Sequence, residues 1–96
     1  MPNLTLYTTR GISCVVAKQK LDSMGIVYDE INVDNSVQAR DFLESIERPI
    51  KTFPPPQFYV DNICAWENGF NEVNELTAEQ IKQRVEEINA SIKQVR

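Results

Sequence analysis

The sequence predicts an α/β domain built on a four-stranded mixed sheet, in the order β-α-β-α-β-β-α, with one more helix at the C-terminal end. Three observations carry that prediction. Leu4-Thr5-Leu6-Tyr7-Thr8 alternates apolar and polar residues and is followed directly by a run of helical period. A second strand-like segment, 26–33, again precedes a helix-like segment with an apolar stripe. Two short β-rich stretches, 57–60 and 63–66, then flank Asp61-Asn62, which is the chemistry of a hairpin turn.

Each element has its own local warrant. In the first helix Cys14, Ala17, Leu21 and Met24 recur at spacings of three and four, so they share one face. Ser13 is its expected N-cap, and Gly25 suits the left-handed position that ends it. Asn35 with Gln38 resembles a capping box, behind which Ala39, Phe42, Leu43 and Ile46 form a buried stripe. Pro49 limits that helix. Asn71 is expected to cap a short helix reaching Leu76. Thr77 with Gln80 makes a second capping box, and Ile81, Val85, Ile88, Ile92 and Val95 follow at spacings of 4, 3, 4 and 3. The expected organisation is a domain over 1–76 and an amphipathic helix over 77–96.

The 96 residues suffice for one domain, which at this size buries about 60 to 65% of its unfolded surface. A net charge of −4 opposes nucleic-acid binding and attachment to an anionic membrane surface, so neither partner is expected. No apolar run approaches the roughly 18 residues of a membrane span, and the chain reads as cytoplasmic. With no histidine and two cysteines, a zinc site of nitrogen and sulfur ligands cannot be built within one chain, and no metal is expected. Two cysteines fifty residues apart are expected as free thiols in a reducing compartment.

The residues resemble a glutaredoxin, including the glutaredoxin-like redoxins that serve ribonucleotide reductase, within the thioredoxin-like fold. The likeness runs from Leu4 to about Leu76. Leu6-Tyr7-Thr8 resembles the first strand of the family, Ala17-Lys18 and Leu21 with Gly25 its first helix, and 28–34 its second strand. The segment 56–62 is similar to the cis-proline strand and turn. Asn68-Gly69-Phe70-Asn71-Glu72 sits where the family has a Gly-Gly pair followed by acidic residues.

That resemblance implies a site. Counted back without a gap from Lys18 and Gly25, Cys14 matches the second, resolving cysteine of the family's Cys-x-x-Cys, and the nucleophilic first position falls on Gly11. Cys14 is then the one catalytic candidate, at a helix N-terminus where unpaired N–H groups favour a thiolate and where Arg10 and Lys18 lend positive charge. The opposed reading is a small buried hydrophobe in the first turn. Pro56 corresponds to the cis residue. Pro55, having no N–H, removes the donor that would pair with the cysteinyl backbone of glutathione. The Pro54-Pro55-Pro56 run also reads as a polyproline loop. The implied ligand groove comprises Arg10, Gly11, Ser13, Pro55, Pro56, Gly69, Phe70 and Asn71. Arg10 stands either for a carboxylate-binding residue or for a plain surface charge. Cys64 is expected at the sheet end away from Cys14, and Trp66 and Tyr59 in the core or on a sheet face.

Two functions follow as expectations. One is a glutaredoxin-like thiol-disulfide redox protein, weakly active through Cys14, with glutathione as co-substrate, no resident cofactor, and glutathione or a disulfide-bearing protein such as a reductase as partner. The other is a catalytically silent binding module that keeps the groove. Iron-sulfur assembly, which uses the first cysteine, is disfavoured. The aliphatic seam of the last helix is expected to pack on its own domain, or to pair with a second copy or a partner protein.

Overall fold

In the computed structural model, residues 4–53 and 55–95 are described, and side chains within the last helix are described to residue 92. The strands are β1 (Leu4–Thr8), β2 (Asp29–Asn32), β3 (Gln57–Val60) and β4 (Ile63–Cys64). The helices are α1 (Ile12–Ser23), α2 (Val37–Ser45), α3 (Phe70–Val73) and α4 (Ala78–Val95). The sheet order is β2-β1-β3-β4, with β1 parallel to β2 and β3 antiparallel to both its neighbours.

The two-residue period of β1 and β3 sorts the core into two halves. Leu6 lies opposite Phe58 and Leu4 opposite Val60, and these four side chains meet Ala17, Leu21, Val73, Ile81 and Ile88 on one face. Tyr7 and Tyr59 point to the other face, against Val33, Ala39 and Leu43. There Tyr7 and Tyr59 pack edge to face at 5.3 Å between ring centroids, and Phe42 closes on Tyr59 at 5.8 Å. Trp66 is buried edge-on to Phe58 at 5.6 Å.

Several local expectations shift. The first helix starts at Ile12 with Gly11 in the capping position, so Ser13 lies inside the first turn and caps nothing. Its end follows expectation: Gly25 has φ +69°, Gly25 N–H donates to Asp22 O, and Ile26 N–H donates to Leu21 O, a Schellman ending. The second strand is shorter than 26–33, because Val33 is drawn into a 3-10 turn (Val33–Asn35) whose cap is Asn32. Ser36, not Asn35, caps α2 by accepting from Ala39 N–H at 3.1 Å. α3 begins at Phe70 behind Gly69, which leaves Asn71 within the helix. β4 holds two residues only, since Ala65 and Trp66 turn into the core. Asp61 and Asn62 both have positive φ, as a two-residue type I′ turn requires.

The Thr77–Gln80 capping box forms in both directions: Thr77 N–H donates to Gln80 Oε1 at 2.9 Å and Gln80 N–H donates to Thr77 Oγ1 at 3.2 Å. α4 lays Ile81 and Ile88 into the same core as β1 and β3, with Val85 and Ile92 packed beside them. Arg84 Nε fastens it by donating to Ala65 O at 3.0 Å. The seam of α4 is therefore occupied by its own domain as far as its side chains are described; Lys93 and Val95 lie beyond that limit, as Pro54 lies outside the described residues. No helix among the described residues is long and apolar enough to cross a membrane.

Candidate functional site

The site forms where β1 hands over to α1, because the parallel strand ends there and its helix begins with unpaired N–H groups. Gly11 is exposed at the cap, and a Cβ added to it would meet nothing within 4 Å. Three residues on, Cys14 has turned under the helix. It is 1% exposed, aligned with Ala17 and Leu21 on the core face, and its Sγ accepts the Thr9 N–H at 3.3 Å.

Burial is the main influence on that thiol and pushes its pKa up. The Thr9 N–H and the Lys18 ammonium act in the opposite direction, and the Glu30 and Asp34 carboxylates add to the rise. Lys18 is itself paired to Glu30 at 3.2 Å, while Thr8 Oγ1 donates to Glu30 Oε2 at 2.8 Å and Thr9 Oγ1 to Asp34 Oδ2 at 2.7 Å. The nearest ammonium is thus shared with a carboxylate, and the thiol form is favoured.

Beside α1 lies a cleft of about 300 Å³. Of the residues expected there, Ser13, Pro55, Pro56, Gly69, Phe70 and Asn71 line it; Arg10, Gly11 and Cys14 do not. The Pro55–Pro56 bond is cis. Gly69 holds φ +57° and ψ −127°, and a Cβ there would stand 2.9 Å from Pro56 O, so the proline loop and the start of α3 meet backbone to backbone. Gln57, almost fully buried, ties the loop together: its Nε2 donates to Phe53 O at 2.6 Å and its Oε1 accepts from Tyr59 O–H at 2.6 Å.

Arg48 and Phe53 also line this cleft, and the sequence reading missed both. Arg48 Nη2 donates to Glu67 O at 2.6 Å, and its guanidinium carbon sits 4.1 Å from the Phe53 ring centroid. The backbone from which Arg48 projects is set by Glu47, which takes the left-handed ending of α2 at φ +62°, with Arg48 N–H bonded back to Leu43 O at 2.8 Å. Glutamate is an unusual residue for that conformation, so the sequence did not announce the turn. Arg10, by contrast, is exposed.

Cys64 pairs in register with Tyr59, which itself pairs with Thr5, toward the start of β1 and away from Cys14. Both thiols are free. Among the described residues no three His, Cys, Asp or Glu side chains gather into a metal-binding group.

A parallel β-α-β unit joined to an antiparallel hairpin, with a cis-proline loop facing the N-terminus of the first helix, defines a protein of the thioredoxin-like fold class. A family model described as Glutaredoxin matches residues 5–63, and the chain belongs to the glutaredoxin family. Comparison with curated proteins returns no match, and neither does comparison with solved structures.

Proposed function

We propose that this glutaredoxin-family chain works through its groove, binding an extended peptide or glutathione-like chain between the cis-proline loop and the start of α3, with thiol-disulfide turnover essentially silent. The observation that carries this reading is the 1% exposure of Cys14, joined to a thiol pKa raised by burial. Disulfide exchange needs an accessible thiolate, and the exposed helix-cap position is occupied by Gly11. The groove, in contrast, is open, and six of the residues the family resemblance implied line it.

One observation favours a slow redox activity beside binding. Cys14 lies in the first turn of α1, so local opening of that turn would expose the sulfur to solvent and remove the desolvation that holds its pKa up. In that case a mixed disulfide formed at Cys14 would be resolved by an external thiol such as glutathione.

The test is reduction of a glutathione mixed disulfide by the native chain and by Cys14→Ser, alongside the alkylation rate of Cys14 near neutral pH. The expected result is equal, low turnover in both proteins and alkylation far slower than for an exposed cysteine. Turnover that disappears in Cys14→Ser would replace silent binding with the redox reading.

A further inference from the structure

We infer that the occupant of the groove is an extended protein segment that presents an acidic side chain to Arg48 and apolar side chains to the outer face of α1. This rests on the reading of the groove as a peptide site and names its ligand class.

The first observation is an uncompensated cation. A guanidinium stays charged at every accessible pH and carries five N–H donors in a planar fork. Arg48 is half-buried, its Nε is buried with no hydrogen-bond partner, and among the described residues no carboxylate oxygen comes within 4 Å of it. Glu47, its neighbour in sequence, and Glu67, whose carbonyl it meets, carry exposed side chains and border with Glu72 a second cavity that Arg48 also lines, yet none of the three forms an ion pair with it. A partly desolvated charge of this kind is costly until an anion meets it, and the fork geometry suits a carboxylate. The Glu67 carbonyl and the Phe53 ring hold the group beside the cleft, and the Tyr59 hydroxyl lies against it from within the core. The tight ending of α2 fixes the backbone from which it projects.

The second observation is apolar. Ile12 is 82% exposed, Val15 47% and Val16 39%. Their spacing of three and four places them together on the outer face of the first turns of α1. Ser13, the residue after Ile12, lines the groove, and Ile12, Val15 and Val16 lie on the same turns of α1 outside that lining. A small polar tripeptide has no use for such a face. Pro55 also lacks the N–H with which the loop would pair a cysteinyl backbone, so side-chain contacts must supply more of the recognition. Charge complementarity inside the cleft and apolar area outside it on α1 together suit a protein segment, which is long enough to reach both.

The experiment is an amide-shift NMR titration of the full chain with blocked pentapeptides that carry Asp or Asn at the centre and Leu or Ala beside it, and separately with S-methylglutathione. The expected result is shifts at Gly69, Phe70 and Asn71, with the Asp-Leu peptide about tenfold tighter than its Asn counterpart, the factor of one charge-assisted pair. Arg48→Gln should remove the Asp preference and Arg48→Lys restore part of it. The double variant Ile12→Ser/Val16→Ser, at exposed positions, should weaken Leu peptides severalfold and leave S-methylglutathione unchanged. Equal binding of Asp and Asn peptides, or S-methylglutathione binding as tightly as the best peptide, would overturn the inference while the groove reading stands. Groove residues unmoved by every probe would instead overturn the groove reading itself.

Discussion

Replacing Gly69 by alanine tests the geometry on which the groove depends. At φ +57° and ψ −127° the backbone occupies a region that essentially only glycine enters, and forcing another residue there costs about 1–3 kcal/mol. The new Cβ would also stand 2.9 Å from Pro56 O, a main-chain atom with no flexible end to move aside, so the loop would have to retreat by about half an ångström to reach ordinary contact. Against this, alanine narrows the unfolded ensemble and returns about 0.4–1 kcal/mol. The net expectation is a loss of about 1–3 kcal/mol, which for a domain of this size lowers Tm by about 4 to 24 °C. Urea unfolding followed by Trp66 fluorescence reads it, because that indole is buried against Phe58 in the core. Gly11→Ala is the control: its Cβ meets nothing, and its φ of −63° is ordinary, so the entropy gain and the loss of a good cap residue should cancel to within about 0.5 kcal/mol. Equal stability of Gly69→Ala and Gly11→Ala would refute the argument that the proline loop and α3 are held in backbone contact.

Other outcomes follow from the same structure. Gly11→Cys places a thiol at the exposed cap of α1 with open space around its Cβ, and measurable reduction of a glutathione mixed disulfide should appear where the native chain gives little; no gain would mean that more than the missing thiol silences the site. Burial holds the Cys14 thiol above its ordinary pKa, so its contribution to stability is fully present below the unfolded value, near 8.5, and is lost as pH rises through the folded value. Stability measured by urea unfolding should therefore fall on the alkaline side, and less steeply in Cys14→Ala; identical slopes would contradict a buried neutral thiol. Ile88→Ala, at 5% exposure in the core shared with β1 and β3, should cost about 2–4 kcal/mol, whereas a cost below about 0.5 kcal/mol would mean that α4 is not part of this domain's core.

Much of the fold was legible because its signals are local. The alternation in 4–8, the spacing of Ala17 and Leu21, Gly25 after its helix, and the Asp61-Asn62 turn each act over a few residues, and each appears in the structure as expected. Cap positions slipped by one or two residues at α1, α2 and α3: Ser36 and Asn35 offer competing side-chain acceptors at α2, whereas α1 and α3 begin behind glycines that cap without a side chain, the helix start there being set by packing. Asn35 lost that competition to Ser36. The groove was half legible. Its proline and glycine members carry conformational meaning in the sequence, but Arg48 becomes a groove residue only because α2 ends in a left-handed glutamate and the following loop folds Phe53 beneath the guanidinium.

The amino-acid order by itself determined the sequence of strands and helices, the glycine that stands at position 11 ahead of the first helix, and membership of the redoxin scaffold, since periodicity, turn chemistry and residue identity are properties of neighbours along the chain. Whether the remaining thiol meets solvent, which arginine stands at the groove, and where the last helix spends its apolar face were decided only when distant segments packed. Those properties depend on what surrounds a side chain: the desolvation of Cys14 and the unpaired charge of Arg48 exist only once β1, α1, the proline loop and α3 are brought together.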